Sequence, residues 1–315
     1  MIFHKLNVVL YGLIFLIAGC FESPSTKEEP VETPDPREPV YDYYSLKISD
    51  QYHPMGIPVG TVAQNEISGL AWSRNCEDRI WAINDNDPFL FLLDSGTAEI
   101  VCVYHMENVS NTDWEAISIG KGIDELNTLY IADIGNNNLT RIKLGIYRIS
   151  EPECLCDSVK THRIKPDFDL LEFVYPDGSH DAEAIFVDDE TLDIYIISKE
   201  KSRSGVYLFP YPQNCDDPDT LIYLGSLPFP FTVDVDYSIE EGILLLKTYD
   251  QIFLWEYATD KKIFDLIFDT PVNAPYNPIE LQGESICISP DGYFTLSEKV
   301  FDIEPILYRY NRKLN

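Results

Sequence analysis

A carboxylate recurs at one place in the pattern of this chain. Glu66, Glu115, Glu183 and Glu284 each stand at the head of a short apolar segment, and Thr232 takes the corresponding place in a fourth unit, Thr232-Val-Asp-Val-Asp. Asp113 and Asp181 lie two residues before Glu115 and Glu183, so in an extended chain each Asp–Glu pair shares a side. Three kinds of chemistry suit such a set. Calcium takes about 6–8 oxygen ligands from carboxylates, amides and carbonyls. Paired carboxylates such as Asp181 and Glu183 suit metal-free acid–base hydrolysis. A buried carboxylate also accepts backbone N–H groups, and a repeated Glu doing this would lock one unit to the next. The runs Asn84-Asp85-Asn86-Asp87 and Asp133 to Asn138 offer further oxygens, with Asp85, Glu115, Asp133, Asn136 and Glu183 as the candidate metal set. Asn, Asp and Gly are equally the residues of plain turns, and neither run matches an EF-hand loop.

The segments that must position these groups repeat at about 50 residues, with one longer interval between Glu115 and Glu183 that holds an insertion around residues 151–170. After each first strand comes a turn and a second run rich in β-branched and aromatic residues, such as Arg79–Asn84, Thr128–Asp133 and Asp193–Ser198. Third strands follow at Phe89–Leu93, Leu144–Ile149, Gly205–Phe209, Ile252–Trp255 and Ile306–Tyr310. Repeats of this period with several short strands each predict a β-propeller of four-stranded blades. Five blades are expected, with room for a sixth in the longer interval, and a β-sandwich is the alternative. The last unit lacks a fourth strand, and the alternating segment Tyr43–Ser49 is expected to supply it from the N-terminus and close the ring.

In such a ring the start of each first strand lies beside the end of the second. That geometry gathers Glu66, Asp113, Glu115, Asp181, Glu183 and Glu284 at one mouth of the channel, together with Lys199, Lys247 and Glu298 from the second-strand ends. Carboxylates so crowded need raised pKa values, the two lysines or a bound cation to offset their repulsion. His180 is a further candidate ligand or base, with a structural role as the alternative. There is no GxSxG, HExxH or P-loop motif.

Composition narrows the partners. The formal charge of the 315-residue chain is −30, which repels nucleic acids and anionic lipid surfaces and attracts cations. The N-terminus has a basic start, an apolar stretch from Val8 to Ala18 too short to span a bilayer comfortably, and small residues before Cys20. Ile17-Ala18-Gly19-Cys20 resembles the bacterial lipoprotein signal, which implies acylation of Cys20 and a lipid anchor in the cell envelope, the outer membrane favoured. Residues 21–40 carry five prolines and many acids, the composition of an extended spacer. The domain is therefore expected to run from residue 41 to 315. Cys76, Cys102, Cys154, Cys156, Cys215 and Cys287 remain after the leader, an even number compatible with disulfides whose pairing the spacing leaves open.

Ser68-Gly69-Leu70, Trp81 to Asp87, Asp113 to Ile117, Tyr130 to Asn136, Asp181 to Ile185, Gly283-Glu284 and Leu296 to Glu298 together resemble bacterial propellers related to the phytase-like and SdiA-regulated families. The likeness spans most of residues 60–310 and implies the fold. It implies no fixed chemistry, and the fourth unit departs from the pattern at Thr232. Two functions follow as expectations. One is a binding or scaffold lipoprotein with an acidic, calcium-binding mouth that takes a small-molecule or protein ligand. The other is a calcium-dependent phosphoesterase in which Lys199 or Lys247 neutralises phosphate charge.

Overall fold

Short runs of Val, Ile, Leu and aromatic residues, each ended by Gly, Asn or Asp turns, dictate strands too short to bury themselves except by stacking sheets. The computed structural model describes residues 35–155, 161–257 and 261–314. Cys20, the leader and the first part of the expected spacer lie outside the described residues, as does Cys156.

Five antiparallel sheets follow one another along the chain. The first blade is built from Ile67–Trp72, Arg79–Asn84, Phe89–Asp94 and Ile100–Met106. The second uses Trp114–Lys121, Asn127–Asp133, Leu144–Ser150 and Phe168–Val174. The third uses Ala182–Val187, Ile194–Ser198, Ser204–Phe209 and Ile222–Leu227, and the fourth Thr232–Ser238, Ile243–Thr248, Ile252–Glu256 and Val272–Ala274. The fifth joins Gly283–Ser289, Gly292–Ser297 and Ile306–Asn311 to Ile57–Thr61 from the other end of the chain. The protein is thus a five-bladed β-propeller. The long interval holds no sixth blade: it completes the second and sends Thr161–Ile164 back to pair in parallel with the outer strand of the first. Among the described residues the one α-helix is the single turn Ile263–Leu266.

The first strand of each blade contacts the first strands of both neighbours, forming the inner ring. These strands are almost wholly buried, the polar residues of Thr232–Ser238 and Gly283–Ser289 included. The core is divided among the five blade junctions. Trp81 and Tyr104 meet Trp114 and Tyr147 between the first and second blades, and Phe186 and Tyr195 meet Tyr237 between the third and fourth.

The ring does close through an N-terminal strand, but the strand is Ile57–Thr61 and not Tyr43–Ser49. Ile57 pairs with Arg309 and Thr61 with Ile306, with a bulge between Pro58 and Gly60. Pro58 is tolerated because this is the edge strand of its blade. The earlier segment instead runs along the outside of the ring. Arg37 bridges Gly225 on the third blade and forms an ion pair with Asp265 at 2.6 Å. Tyr41, Tyr43 and Leu46 pack on the core between the third and fourth blades. Ile48 bridges Asn273, and Tyr52 is buried against Tyr293 at the fifth. The stretch from Arg37 onward is therefore docked on the propeller.

Candidate functional site

A register slip at the head of every inner strand shapes the channel mouth. It falls between Ile67 and Gly69, Trp114 and Ala116, Ala182 and Ala184, Thr232 and Asp234, and Gly283 and Ser285. A bulge inserts one residue and re-aims its side chain. The inserted residues are Ser68, Glu115, Glu183, Val233 and Glu284. The equivalent position therefore holds three glutamates, a serine and a valine. Glu66 does not belong to that set. It precedes its strand as Asp113 and Asp181 precede theirs, and its backbone turns left-handed, with φ of 54°. The likeness of Glu-Ile-Ser to Glu-Ala-Ile-Ser aligns the wrong residue. Pairing is what counts: Ile67 faces Asn84 as Trp114 faces Asp133. Thr232 likewise lies one residue before the bulge.

Glu115, Glu183 and Glu284 are each less than a tenth exposed. Glu183 Oε1 accepts a bond from Lys199 Nζ, while its Oε2 has no partner. Lys199 Nζ lies 5.1 Å from the centre of the Tyr249 ring, and the Tyr249 hydroxyl donates to Glu284 Oε1 at 2.8 Å. A chain of contacts thus crosses from the third blade to the fifth. Crowded acids complete the mouth, with Asp113 acting on Glu115 and Glu284 on Glu298.

Electrostatics follow from this crowding. Burial first, then the charges of Glu183, Asp113 and Glu284, hold Glu115 well above the usual carboxylate range. Burial also raises Glu183, opposed by Lys199. Burial, then Glu284, pushes Glu298 up to about 8. Asp85 is raised to about 6 by burial and Glu66. Gly135 is required by this packing, since a Cβ there would fall 2.3 Å from the Asp113 carboxyl and 2.6 Å from Glu115 Oε1.

Other expected site residues are committed elsewhere. Asp133 accepts from Arg141 at 2.5 Å and from the Thr112 N–H at 3.0 Å. The Asn136 amide donates to the Arg141 and His180 carbonyls and to Ser179 Oγ, and its oxygen accepts from the Arg141 N–H. It clamps a loop, while its own N–H donates to Asp181 Oδ1 at 2.6 Å. Lys247 does not reach the mouth. It is fully buried, donates to the Gly283 and Thr248 carbonyls and sits 4.5 Å from the Tyr276 ring centre. Burial lowers its pKa to about 8. His180 is held at the edge of the third blade between Glu200 at 2.8 Å, Asp177 at 3.1 Å and the Tyr207 hydroxyl at 3.0 Å. Tyr249 joined the site without notice in the sequence, because an aromatic after a strand ordinarily reads as packing.

Among the described residues, no three His, Cys, Asp or Glu side chains form a ready metal cage. The donor set is nevertheless all oxygen, and the orphaned, buried Glu183 Oε2 is the type of atom a hard cation satisfies. Of the candidate metal set, Glu115 and Glu183 face one another across the mouth and Asp85 borders it, whereas Asp133 and Asn136 are held by Arg141 and its loop.

No family model matches the chain, and no curated protein matches it. Among solved structures it is similar to the glutaminyl cyclase of Myxococcus xanthus, at 10% identity and a TM-score of 0.48 over 84% of this chain and 97% of that one. It is also similar to a chain of a nidogen/laminin complex, at 8% identity and a TM-score of 0.42 over 74% of this chain and 72% of that one.

Proposed function

We propose that the chain is a cell-envelope lipoprotein, anchored through acylated Cys20, whose acidic channel mouth binds a cation and through it a ligand or partner. One observation carries the reading: Glu115, Glu183, Glu284, Glu298, Asp85 and Asp113 crowd at one mouth, where Lys199 is bonded to Glu183. Calcium is the first cation to test, with Glu115 and Glu183 as its nearest ligands. It binds the ionised carboxylates, whose pKa values burial and crowding raise, so affinity rises with pH. A disulfide between Cys76 and Cys154 supports export, since such bonds persist in oxidising compartments. The melting temperature of the purified protein, followed through a calcium titration and then with chelator, tests the mouth. Binding to the folded state raises stability by about 2.7 kcal/mol at a hundredfold excess over the dissociation constant. An unchanged melting temperature rejects calcium. Mass spectrometry of the mature N-terminus tests the anchor, and an unmodified Cys20 rejects it.

The phosphoesterase reading draws on Lys199, a cation bonded to Glu183 in the mouth. It predicts calcium-dependent phosphatase activity that Glu115→Gln abolishes; activity insensitive to that change, or none in calcium, rejects it.

A further inference from the structure

Beside the mouth, on the fifth blade, the loop of residues 275–282 leads into the inner strand and the turn of residues 298–305 follows the second strand. Between them lies a hollow of about 160 Å³, walled in part by Ile279, Leu281, Val300 and Ile303. Ile279, Leu281 and Ile303 are more than half exposed, and so is Met55, whose sulfur lies 2.9 Å from the Asn277 amide of the same loop. Phe301 stands in the turn that the Ile303 N–H closes on the Val300 carbonyl at 3.0 Å. Its backbone is left-handed, with φ of 55°, and it is 89% exposed. A bulky residue adopts that conformation only under constraint, and little packing among the described residues offsets the cost.

An exposed apolar patch rimmed by polar groups marks an interaction surface, and the charge beside it names the occupant. Glu298 borders both the hollow and the mouth, where Glu284, Asp85 and Glu66 act on it. Asp302 and Glu304 follow Phe301, and Lys299, the one basic residue of the turn, is already paired with Glu304 at 2.7 Å. A second copy of this chain would bring a charge of −30 against its like, and an anionic lipid surface is repelled in the same way. We propose that this rim docks a basic, apolar segment of a partner protein, with a large apolar side chain in the hollow against Leu281 and Ile303 and a neighbouring Lys or Arg at Glu298 and the mouth acids behind it. The hollow suits one such side chain, since a cavity of about 150 Å³ holds a benzene molecule. The inference rests on the reading of the mouth as a cation site, and names the class of partner that brings the cation.

Fluorescence anisotropy on the purified full-length protein tests it with three labelled hexapeptides: Lys-Leu-Lys-Phe-Lys-Leu, Lys-Ser-Lys-Ser-Lys-Ser and Glu-Leu-Glu-Phe-Glu-Leu. The first is expected to bind at least about tenfold more tightly than the second, and the third not to bind. The double variant Leu281→Ser/Phe301→Ser changes exposed side chains, so it is expected to fold, to bring the first peptide down to the affinity of the second and to leave the second unchanged. Phe301→Gly suits the left-handed backbone and is expected to weaken the first peptide at least about threefold. Ile123→Ser/Leu126→Ser alters two half-exposed residues in the loop between the first two strands of the second blade, on the opposite face, and is expected to change nothing. Equal affinity of the first two peptides, or the same loss in both double variants, overturns the proposal. So does binding to phosphatidylcholine vesicles that Leu281→Ser/Phe301→Ser abolishes while no peptide binds, which assigns the patch to a membrane. If the peptides behave as expected while calcium leaves the melting temperature unchanged, the calcium reading falls and this one stands. If calcium binds and the first peptide does not, the reverse holds.

Discussion

Two sets of buried carboxylates occupy the inner ring, and they keep opposite company. Asp234 and Asp236 lie in the middle of the fourth inner strand. Each accepts the N–H of the next residue, at 2.8 and 2.9 Å, and reaches across to the fifth blade, where the Ile286 and Ile288 N–H groups donate to them at 2.7 Å. Glu151 works the same way between the first and second blades, accepting from Ser73 Oγ, the Arg74 N–H and Trp81 Nε1. These acids are seams. The acids of the mouth crowd on one another and on Lys199. Burial alone therefore does not assign a role to a carboxylate. What does is whether its partners are backbone N–H groups, which fix a structure, or other acids, which leave it short of positive charge.

Breaking a seam should cost most. Asp234→Ala strands two buried N–H groups and is expected to destabilise the domain by about 3 kcal/mol or more, read as a fall of roughly ten degrees in melting temperature. Equal stability of this variant and the native protein would erase the distinction. The next largest effect comes from pH. Asp85 and Glu298 titrate in the folded protein at about 6 and about 8, above the roughly 4 of an unfolded chain. The native state thus retains protons that the unfolded state has lost. Their stabilisation is full below about pH 4 and disappears as pH rises through about 6 to 8. The melting temperature is expected to decline across that window in chelator and to recover in calcium. A flat profile would mean the mouth acids do not interact.

Lys199→Met removes the internal cation and is expected to cost about 2 kcal/mol at alkaline pH, and less at about pH 5, where Glu183 takes up a proton instead. A loss independent of pH would make Lys199 a packing residue. Glu298→Gln should act least. It removes a group raised to about 8 and flattens the upper part of the pH profile, with a gain at alkaline pH of at most about 1 kcal/mol, checked by melting curves at two pH values.

The repeat made the inner, second and third strands legible, because apolar runs between turn residues have few other uses. The positions of Glu115, Glu183 and Glu284 followed from it. The slip at Glu66 could not be seen, since a bulge leaves no mark in composition and only the facing residue reveals it. The closing strand was hidden for a related reason. Ile-Pro-Val-Gly-Thr contains both residues that normally argue against a strand, whereas Tyr43–Ser49 alternates well and is nevertheless a strap. Asp234 and Asp236 leave no sign of their role in the sequence, because alternating acids in a strand ordinarily mark a solvent face and only the fifth blade's N–H groups bury them. The Cys76–Cys154 bond joins loops brought together only by the stacking of blades.

The seam between Ile57–Thr61 and Ile306–Asn311 also has a meaning in time. Its partners stand near opposite ends of the folded region, so the ring seals only after nearly all of that region has been made. Such a long-range closure is slow. Until then the strand Ile306–Asn311 offers an open edge, the kind of edge on which chains stick to one another. A chain cut before Ile306 would accordingly not become a smaller propeller. It would remain an unsealed one, with the edge of Gly292–Ser297 open to other chains and to proteases.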